Sequence, residues 1–426
     1  MALANPAVQP AAAVAPFGSA VGLSCRECGQ TYDLGPSYAC LECFGPLEVS
    51  YDFGGVSREA IEAGPANIWR YRDLLPVPAD VADKPNLAPG WTRLVRARNL
   101  GKELGLRSLH VKDDSGNPTH SFKDRVVAIA LEAARTFGYT TLSCSSTGNL
   151  AGAVTAAAAR AGLRACVFIP ADLEQAKIVM ASVYGGDLVG IEGSYDEVNR
   201  FCSELIGDPL GEGWGFVNVN LRTYYAEGSK TLAYEIAEQL GWRLPDQIVI
   251  PVASGSQLTK IDKGFRELIK LGLVEEKPYR IFAAQAAGCA PVSSAYKAGH
   301  EVVQPVRPDT IAKSLAIGNP ADGPYVLDIV RRTGGAVEDV TDAEVVDAMR
   351  LLARTEGIFA ETAGGVTVGV LRKLTEAGVL DPDAETVVLN TGDGLKTLDA
   401  VAEFARPTAV IRPSVDAFRA AFDDRG

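Results

Sequence analysis

Two pairs of cysteines and one lysine offer the most legible chemistry in this chain. Cys25-Arg-Glu-Cys28 is followed, after eleven residues, by Cys40-Leu-Glu-Cys43. Each pair makes a tight knuckle that aims two thiolates at one point, and two knuckles complete a tetrahedral site of four sulfurs. Gly29 and Gly45 suit the backbone reversals that such knuckles need. Two disulfides or a thioredoxin-like redox pair are the alternatives. A cytosolic chain argues against the first, and the lack of a βαβ setting against the second. The spacing therefore predicts a structural zinc site at Cys25, Cys28, Cys40 and Cys43, because four protein ligands leave no open position for catalysis. The other four of the eight cysteines, Cys144, Cys166, Cys202 and Cys289, are dispersed in apolar contexts and read as packed core.

The lysine lies in Asn117-Pro-Thr-His-Ser-Phe-Lys123-Asp-Arg125, ahead of a helix expected from about Asp124. Pro118 and Ser121 suit a turn and an N-cap, which sets Lys123 at the helix mouth. The positive end of the helix dipole favours a neutral amine there. A neutral amine is the form that condenses with an aldehyde cofactor. A first-turn lysine is commonly only solvated, so the weight falls on the loops around it. Ser145-Ser-Thr-Gly-Asn149 follows an apolar run and opens a helix, making a cup for a carboxylate. Ala253-Ser-Gly-Ser-Gln257 follows another, and its small residues let backbone N–H groups close on a phosphate. Thr391-Gly-Asp-Gly394 follows a third. No Walker pattern is present, since the glycine required five positions before Gly394 is Leu389. Four such loops, one with a reactive lysine, suggest a pyridoxal phosphate site.

The loops need a scaffold, and the pattern supplies one. Apolar β-type runs at Ser108–Val111, Thr141–Cys144, Ala165–Ile169, Leu188–Ile191, Gln247–Val252, Arg280–Ala284 and Thr386–Asn390 alternate with Ala-rich helical stretches such as Arg125–Thr136, Asn149–Ala161 and Lys230–Leu240. That alternation predicts an α/β fold with parallel or mixed sheets wrapped by helices, with ligands at the C-terminal ends of strands. The length of 426 residues suggests two or three domains. With 41 Lys+Arg against 53 Asp+Glu the formal charge is −12, which argues against a nucleic-acid or anionic-membrane surface. An anionic substrate is compatible with it, because a pocket can be locally positive. Residues 1–24 carry no charge and lack the basic start and unbroken apolar run of a secretory signal, and Gly22 stands where a lipoprotein signal wants Leu. No stretch reaches a membrane span without charge or proline. The expectation is a cytoplasmic protein whose N-terminal arm is disordered.

At this point the sequence resembles a known family. The lysine motif, Ser-Thr-Gly-Asn149, the loop 253–257, Ala226-Glu-Gly-Ser-Lys-Thr231 and Leu389-Asn-Thr-Gly-Asp-Gly-Leu-Lys396 look like threonine synthase, a tryptophan-synthase-β-like pyridoxal enzyme of fold type II. The resemblance runs from about residue 25 to about 405. The four-cysteine segment ending Cys43-Phe-Gly-Pro-Leu-Glu-Val is similar to that of the longer synthases. It implies pyridoxal 5′-phosphate as cofactor and conversion of O-phospho-L-homoserine and water to L-threonine and phosphate. Lys123 would carry the cofactor and act as the general base. Phe122 would lie against its ring, Asn149 would bond its 3′-oxygen, and Ser254, Gly255, Ser256 and Gln257 would bind its phosphate. Thr391 would meet the ring nitrogen, where a hydroxyl leaves that nitrogen largely unprotonated and moderates the electron sink. Ser146, Thr147 and Asn149 would receive the substrate carboxylate. A homodimer is implied as well.

Several positions depart from the family pattern. Many shorter synthases have Gly where this chain has His120, and Thr or Ser where it has Leu150; His120 reads equally as a packing or a proton-shuttling residue. The phosphate loop is often an Asn/Gly pattern. The Arg that often binds substrate phosphate is Tyr225 here, leaving Arg222, Lys112 and Lys177 as candidate clamps. A related lyase, such as a threonine or serine dehydratase or a phosphoserine-using synthase, would keep Lys123 and change only that clamp. An inactive zinc-ribbon interaction protein is a third reading, opposed by the intact lysine. No allosteric-effector motif is readable. The expected organisation is an arm (1–20), a zinc-ribbon-like module (21–50), a lead-in joining the large domain (51–99), a small domain with Lys123 and the carboxylate loop (100–235), a large domain with the phosphate and ring-nitrogen loops (236–405), and a tail (406–426).

Overall fold

A computed structural model describes residues 17–193 and 195–422. Three antiparallel strands, β1 (Ala20–Cys25), β2 (Thr31–Tyr32) and β3 (Leu47–Tyr51), form a small sheet in the order β2-β1-β3 around the cysteine knuckles. The body is built on β4 (Arg93–Arg96), β5 (Ser108–Asp113), β6 (Thr141–Ser145), β7 (Arg164–Pro170), β8 (Asp187–Ile191), β9 (Trp214–Phe216), β10 (Gln247–Pro251), β11 (Arg280–Ala286), β12 (Val337–Val340) and β13 (Glu385–Asn390). Six of these make one sheet, β12-β11-β10-β13-β5-β4, parallel except for the edge strand β4. Four make a second, all-parallel sheet, β8-β7-β6-β9. Runs such as Gln247–Pro251 are buried at every residue because helices cover both faces, which is why they read as continuous rather than alternating.

Each apolar run expected from the sequence is a strand, and most extend by a residue or two. The expected helices appear as Lys123–Thr136, Asn149–Ala161 and Lys230–Gln239. Three results differ. The strand Ser108–Asp113 pairs with β13 in the six-stranded sheet, so the start of the expected small unit at residue 100 is misplaced. The smaller sheet spans only 141–216. The expected arm falls mostly outside the described residues, but Phe17 is buried against Phe137 and Tyr224, and Ala20 opens β1. Strands β4, β9 and β12 are short or charged, and gave no apolar run to read.

One buried polar cluster ties these layers together. Arg125, wholly enclosed, donates from Nε to Asp114 Oδ2 at 2.8 Å and from Nη2 to Glu235 Oε2 at 2.8 Å. Lys112, on β5, donates to the same Glu235 oxygen at 2.6 Å and to the Thr92 carbonyl at 2.8 Å. Trp91 and Thr92 donate their backbone N–H groups to Glu235 as well. Burial alone pushes the Glu235 carboxyl up, but Arg125 and Lys112 outweigh it and hold it at about 2. Removing one partner of such a cluster strands a buried charge, at about 3–5 kcal/mol. Glu235→Gln should therefore lower unfolding free energy by that order in urea titrations at pH 7. The folded pKa lies below the unfolded value of about 4.3, so this stability is complete above pH 5. It fades as pH falls toward 2, and the gap between wild type and variant should narrow over that range.

Candidate active site

Lys123 opens its helix at the floor of a cleft between the two body sheets. The helix starts at Lys123 itself, one residue before expectation, and its N-cap position is Phe122 and not Ser121; the Ser121 hydroxyl accepts from the Lys123 N–H at 3.3 Å. The preceding turn is fastened by Asp124, whose carboxylate accepts from the Thr119 N–H and hydroxyl, both at 2.7 Å. The Lys123 amine lies 4.5 Å above the Phe122 ring centre and 3.2 Å from the Tyr225 hydroxyl. Burial brings its pKa down to about 8, so far more of it is neutral at physiological pH than of a solvated lysine.

Two chambers meet at this amine. The first is lined by Phe122, Lys123, Asn149, Tyr225, residues 253–257, Ser314, Glu361 and Thr391. The second includes in its lining Lys123, Ser146, Thr147, Tyr195, Asp196, Asn199, Asn218, Arg222, Tyr225 and Ser254. Residues 254–257 lie at the amino end of the helix Ser256–Lys270, whose first N–H groups have no partner within the helix. Gly255 is left-handed (φ +96°), and a Cβ on it would stand 2.8 Å from Val326 and 2.9 Å from Asp322. Ser146 is buried and its hydroxyl accepts from the N–H groups of Gly148 and Ala151 at 2.9 and 2.8 Å. Gly148 (φ +115°) has the Lys177 side chain where its Cβ would be.

A phosphorylated aldehyde cofactor fits the first chamber on the chemistry of its walls. The amine is desolvated, an aromatic ring lies beside it, and two buried polar atoms at the chamber, Gln257 Nε2 and Ser314 Oγ, have no protein partner. Buried polar groups are nearly always satisfied, so those two point to a polar ligand.

The structure brings together Phe122, Lys123, Ser146, Thr147, Asn149, Ser254, Gly255, Ser256, Gln257, Thr391 and Arg222. It does not bring in Lys112, which is enclosed in the Arg125–Glu235 cluster; a lysine on a strand buried on both faces finds its counter-ion in the core. Lys177 is buried beneath the Gly148 turn and paired with Glu174 at 2.9 Å, outside the walls of both chambers. His120 is exposed, with Nδ1 at 3.2 Å from the Ser115 carbonyl, and lines neither chamber. Its backbone is left-handed (φ 59°), a conformation glycine adopts freely, which accounts for the glycine alternative at this position.

Three residues at the site gave no individual signal. Glu361 accepts from the Asn149 amide through both carboxylate oxygens, at 3.0 and 2.8 Å, and Lys396 donates to Asn149 Oδ1 at 3.1 Å. Burial brings Lys396 down to about 8. Lys396 ends the Thr391–Lys396 motif, but its inward direction follows from the 3₁₀ turn Gly394–Lys396. Tyr225 replaces the expected arginine and reaches the lysine amine itself.

The four cysteine sulfurs converge. Every pair lies within 4.8 Å, and three separations are 3.5, 3.6 and 3.5 Å. Four sulfurs about 2.3 Å from one zinc stand about 3.8 Å apart, so the donor set fits that ion with little adjustment. The Tyr32 hydroxyl beside Cys40 lowers its thiol to about 6, toward the ligand form. The knuckle turns differ from expectation in one respect. Gly29 is left-handed (φ 74°), but Phe44 (φ 60°) and not Gly45 makes the second reversal. Gly45 is small for another reason, since a Cβ there would meet Glu27 at 2.7 Å.

Comparison with known proteins agrees with this geometry. Residues 86–392 match the family described as pyridoxal-phosphate dependent enzyme. The chain is 36% identical over 382 residues to a threonine synthase of Methanocaldococcus jannaschii, covering 88% of this chain and 93% of that protein. It is 35% identical over 408 residues to a threonine synthase of Methanosarcina acetivorans, covering 94% and 98%. Among solved structures it is similar in fold to an L-serine ammonia-lyase from Rhizomucor miehei, with TM-score 0.63, 22% identity, and 75% and 98% of the two chains covered. No helix among the described residues is long and apolar enough to cross a membrane.

The desolvated amine gives a direct test. Covalent uptake of pyridoxal phosphate by the apoprotein should rise with pH through a midpoint near 8, read by absorbance, and Lys123→Ala should take up none. A midpoint near the ordinary lysine value of about 10.4 would show that the amine is solvated.

Proposed function

The chain belongs to the threonine synthase family of pyridoxal-phosphate-dependent enzymes, and on that footing we propose how its own residues share the conversion of O-phospho-L-homoserine and water to L-threonine and phosphate. The observation that carries the reading is the desolvated Lys123 amine at the junction of two chambers, one fitted to a cofactor and the other to an anionic substrate. When bound, pyridoxal phosphate supplies an electron sink for negative charge developing on the substrate carbons.

The protein's part is holding, orienting and moving protons. The N–H groups at 254–257, with the unpaired Gln257 amide and Ser314 hydroxyl, hold the cofactor phosphate. Phe122 packs beside its ring, Thr391 meets the ring nitrogen, and Asn149, kept in place by Glu361 and Lys396, faces its 3′-oxygen. Ser146 and Thr147, at the mouth of the helix Asn149–Ala161, take the substrate carboxylate. Arg222 takes the substrate phosphate from the far wall of the second chamber. Lys123 removes the proton from Cα and hands it on to the bound cofactor before it takes one from Cβ as phosphate leaves Cγ; it returns that proton to Cγ, water adds its hydroxyl at Cβ and gives its other proton to the released phosphate, and the stored proton goes back to Cα. The Tyr225 hydroxyl, 3.2 Å away, steadies the amine between transfers. Because the amine titrates near 8, the base is half in its working form at that pH and rate should fall on the acid side.

Product analysis with O-phosphohomoserine tests the assignment. Wild type should release phosphate and threonine in equal amounts. Phosphate with 2-oxobutyrate and no threonine would assign the chain to the dehydratase-like reading instead. Arg222→Ala should raise KM by about 10- to 100-fold, the loss of one charged hydrogen-bonding partner.

The finer expectations belong to the same reading. A structural zinc on Cys25, Cys28, Cys40 and Cys43 is supported by the convergence of the four sulfurs. Metal analysis should find about one zinc per chain, lost in Cys28→Ser. The homodimer rests on resemblance, and light scattering at twice the 44.9 kDa chain mass would support it.

A further inference from the structure

The four-cysteine module meets the wall of the active site where Arg26 faces Asp322. Arg26, between the first two cysteines, lies with its guanidinium 3.6 Å over the Tyr325 ring, 3.7 Å from Glu48 Oε1 and 4.0 Å from Asp322 Oδ1. Asp322 uses its other oxygen, Oδ2, to accept from Arg222 Nη2 at 2.6 Å. The same Asp322 donates its N–H to the Ser254 carbonyl at 2.9 Å, so the carboxylate is pinned against the loop 254–257. Asp322 is 5% exposed, whereas the Arg222 side chain is 32% exposed and takes its direction from this partner. Tyr325 also donates to Glu27, which fastens the knuckle to the helix Gly323–Arg332.

We propose that Arg26 is a positioning residue for the active site, dividing the charge of Asp322 so that Arg222 stays aimed into the second chamber and free to bind a phosphate group. The proposal rests on the reading of Arg222 as the phosphate clamp. Its physical basis is competition for one carboxylate. With Arg26 present, Asp322 has a second cation to neutralise, and the field at the chamber keeps a net positive contribution from Arg222. Without it, the full charge of Asp322 falls on Arg222, and an entering phosphate must displace a stronger ion pair. The module that the cysteines hold together thus sets the anion affinity of a site whose cofactor it does not touch.

The test uses the holoenzyme, with KM for O-phosphohomoserine and the inhibition constant of inorganic phosphate as paired readouts. Arg26→Ala should raise both by about three- to tenfold, with kcat and cofactor absorbance unchanged, and Arg26→Lys should restore most of the loss. Tyr325→Leu, which removes both the ring under Arg26 and the hydroxyl on Glu27, should shift both in the same direction, whereas Tyr325→Phe, which keeps the ring and loses only the hydroxyl, should shift neither. In an Asp322→Asn background, Arg26→Ala should add nothing, because the link runs through that carboxylate. If Arg222→Ala raises both constants while Arg26→Ala and Tyr325→Leu leave them unchanged, the clamp stands and the positioning role is wrong. An additive effect of Arg26→Ala in the Asp322→Asn background overturns the shared-carboxylate mechanism. If Arg222→Ala itself moves neither constant, the clamp reading fails and the proposal falls with it.

Discussion

The buried guanidinium of Arg125 is the constraint on which the rest of the site depends. It stands two residues after the lysine on the same helix, and its donors divide between Asp114, just after β5, and Glu235, on the helix Lys230–Gln239. A charge with no access to water accepts only a geometry that satisfies it. The start of the lysine helix is therefore located by electrostatics before any ligand arrives. Lys112 completes the balance by giving Glu235 a second cation. Arg125 lines neither chamber, and its presence in the lysine motif is explained by what it holds.

Around the cleft the same principle operates at smaller scale. Glu361 lies between two amines, Lys123 and Lys396, whose affinities for protons burial has reduced. Its carboxylate is spent on the Asn149 amide, so it orients a side chain as well as balancing charge. The chamber walls are made from loops of three different strand ends, β6, β10 and β13, which is where an α/β sheet leaves space and free backbone donors.

Much of this was legible in the sequence, for reasons that are specific. The runs at 141–144, 247–252 and 386–390 are readable because strands covered on both faces are apolar throughout. The loops after them are readable because backbone donors demand small residues nearby, as at Gly255. The cysteines are readable because metal ligation fixes spacing. What the sequence withheld is direction. Lys112 and Arg222 are both cations near family motifs, yet one ends on a buried strand with a carboxylate above it and the other on a chamber wall. Glu361 and Ser314 come to the cleft from segments with no local signature, by virtue of the packing of elements far apart in the chain. The strand β4, with arginine at both ends, offers no apolar run to read and is a strand by virtue of its pairing with β5.

The strand order of the larger sheet has a consequence for how the chain is made. Strand β13, near residue 390, lies between β5 and β10, so it is the last strand synthesised and an interior one. Until it emerges, the β5–β4 pair and the β10–β11–β12 group have no strand to join them. The four strands of the smaller sheet, in contrast, are contiguous in sequence and complete by residue 216. A ribosome-bound chain could therefore assemble the smaller sheet early, while β5 keeps an open edge for almost three hundred residues. Interior strands contributed late carry the entropic cost of long-range closure. The lysine, whose loop leads directly out of β5, is brought to its final setting only once β13 has emerged and paired.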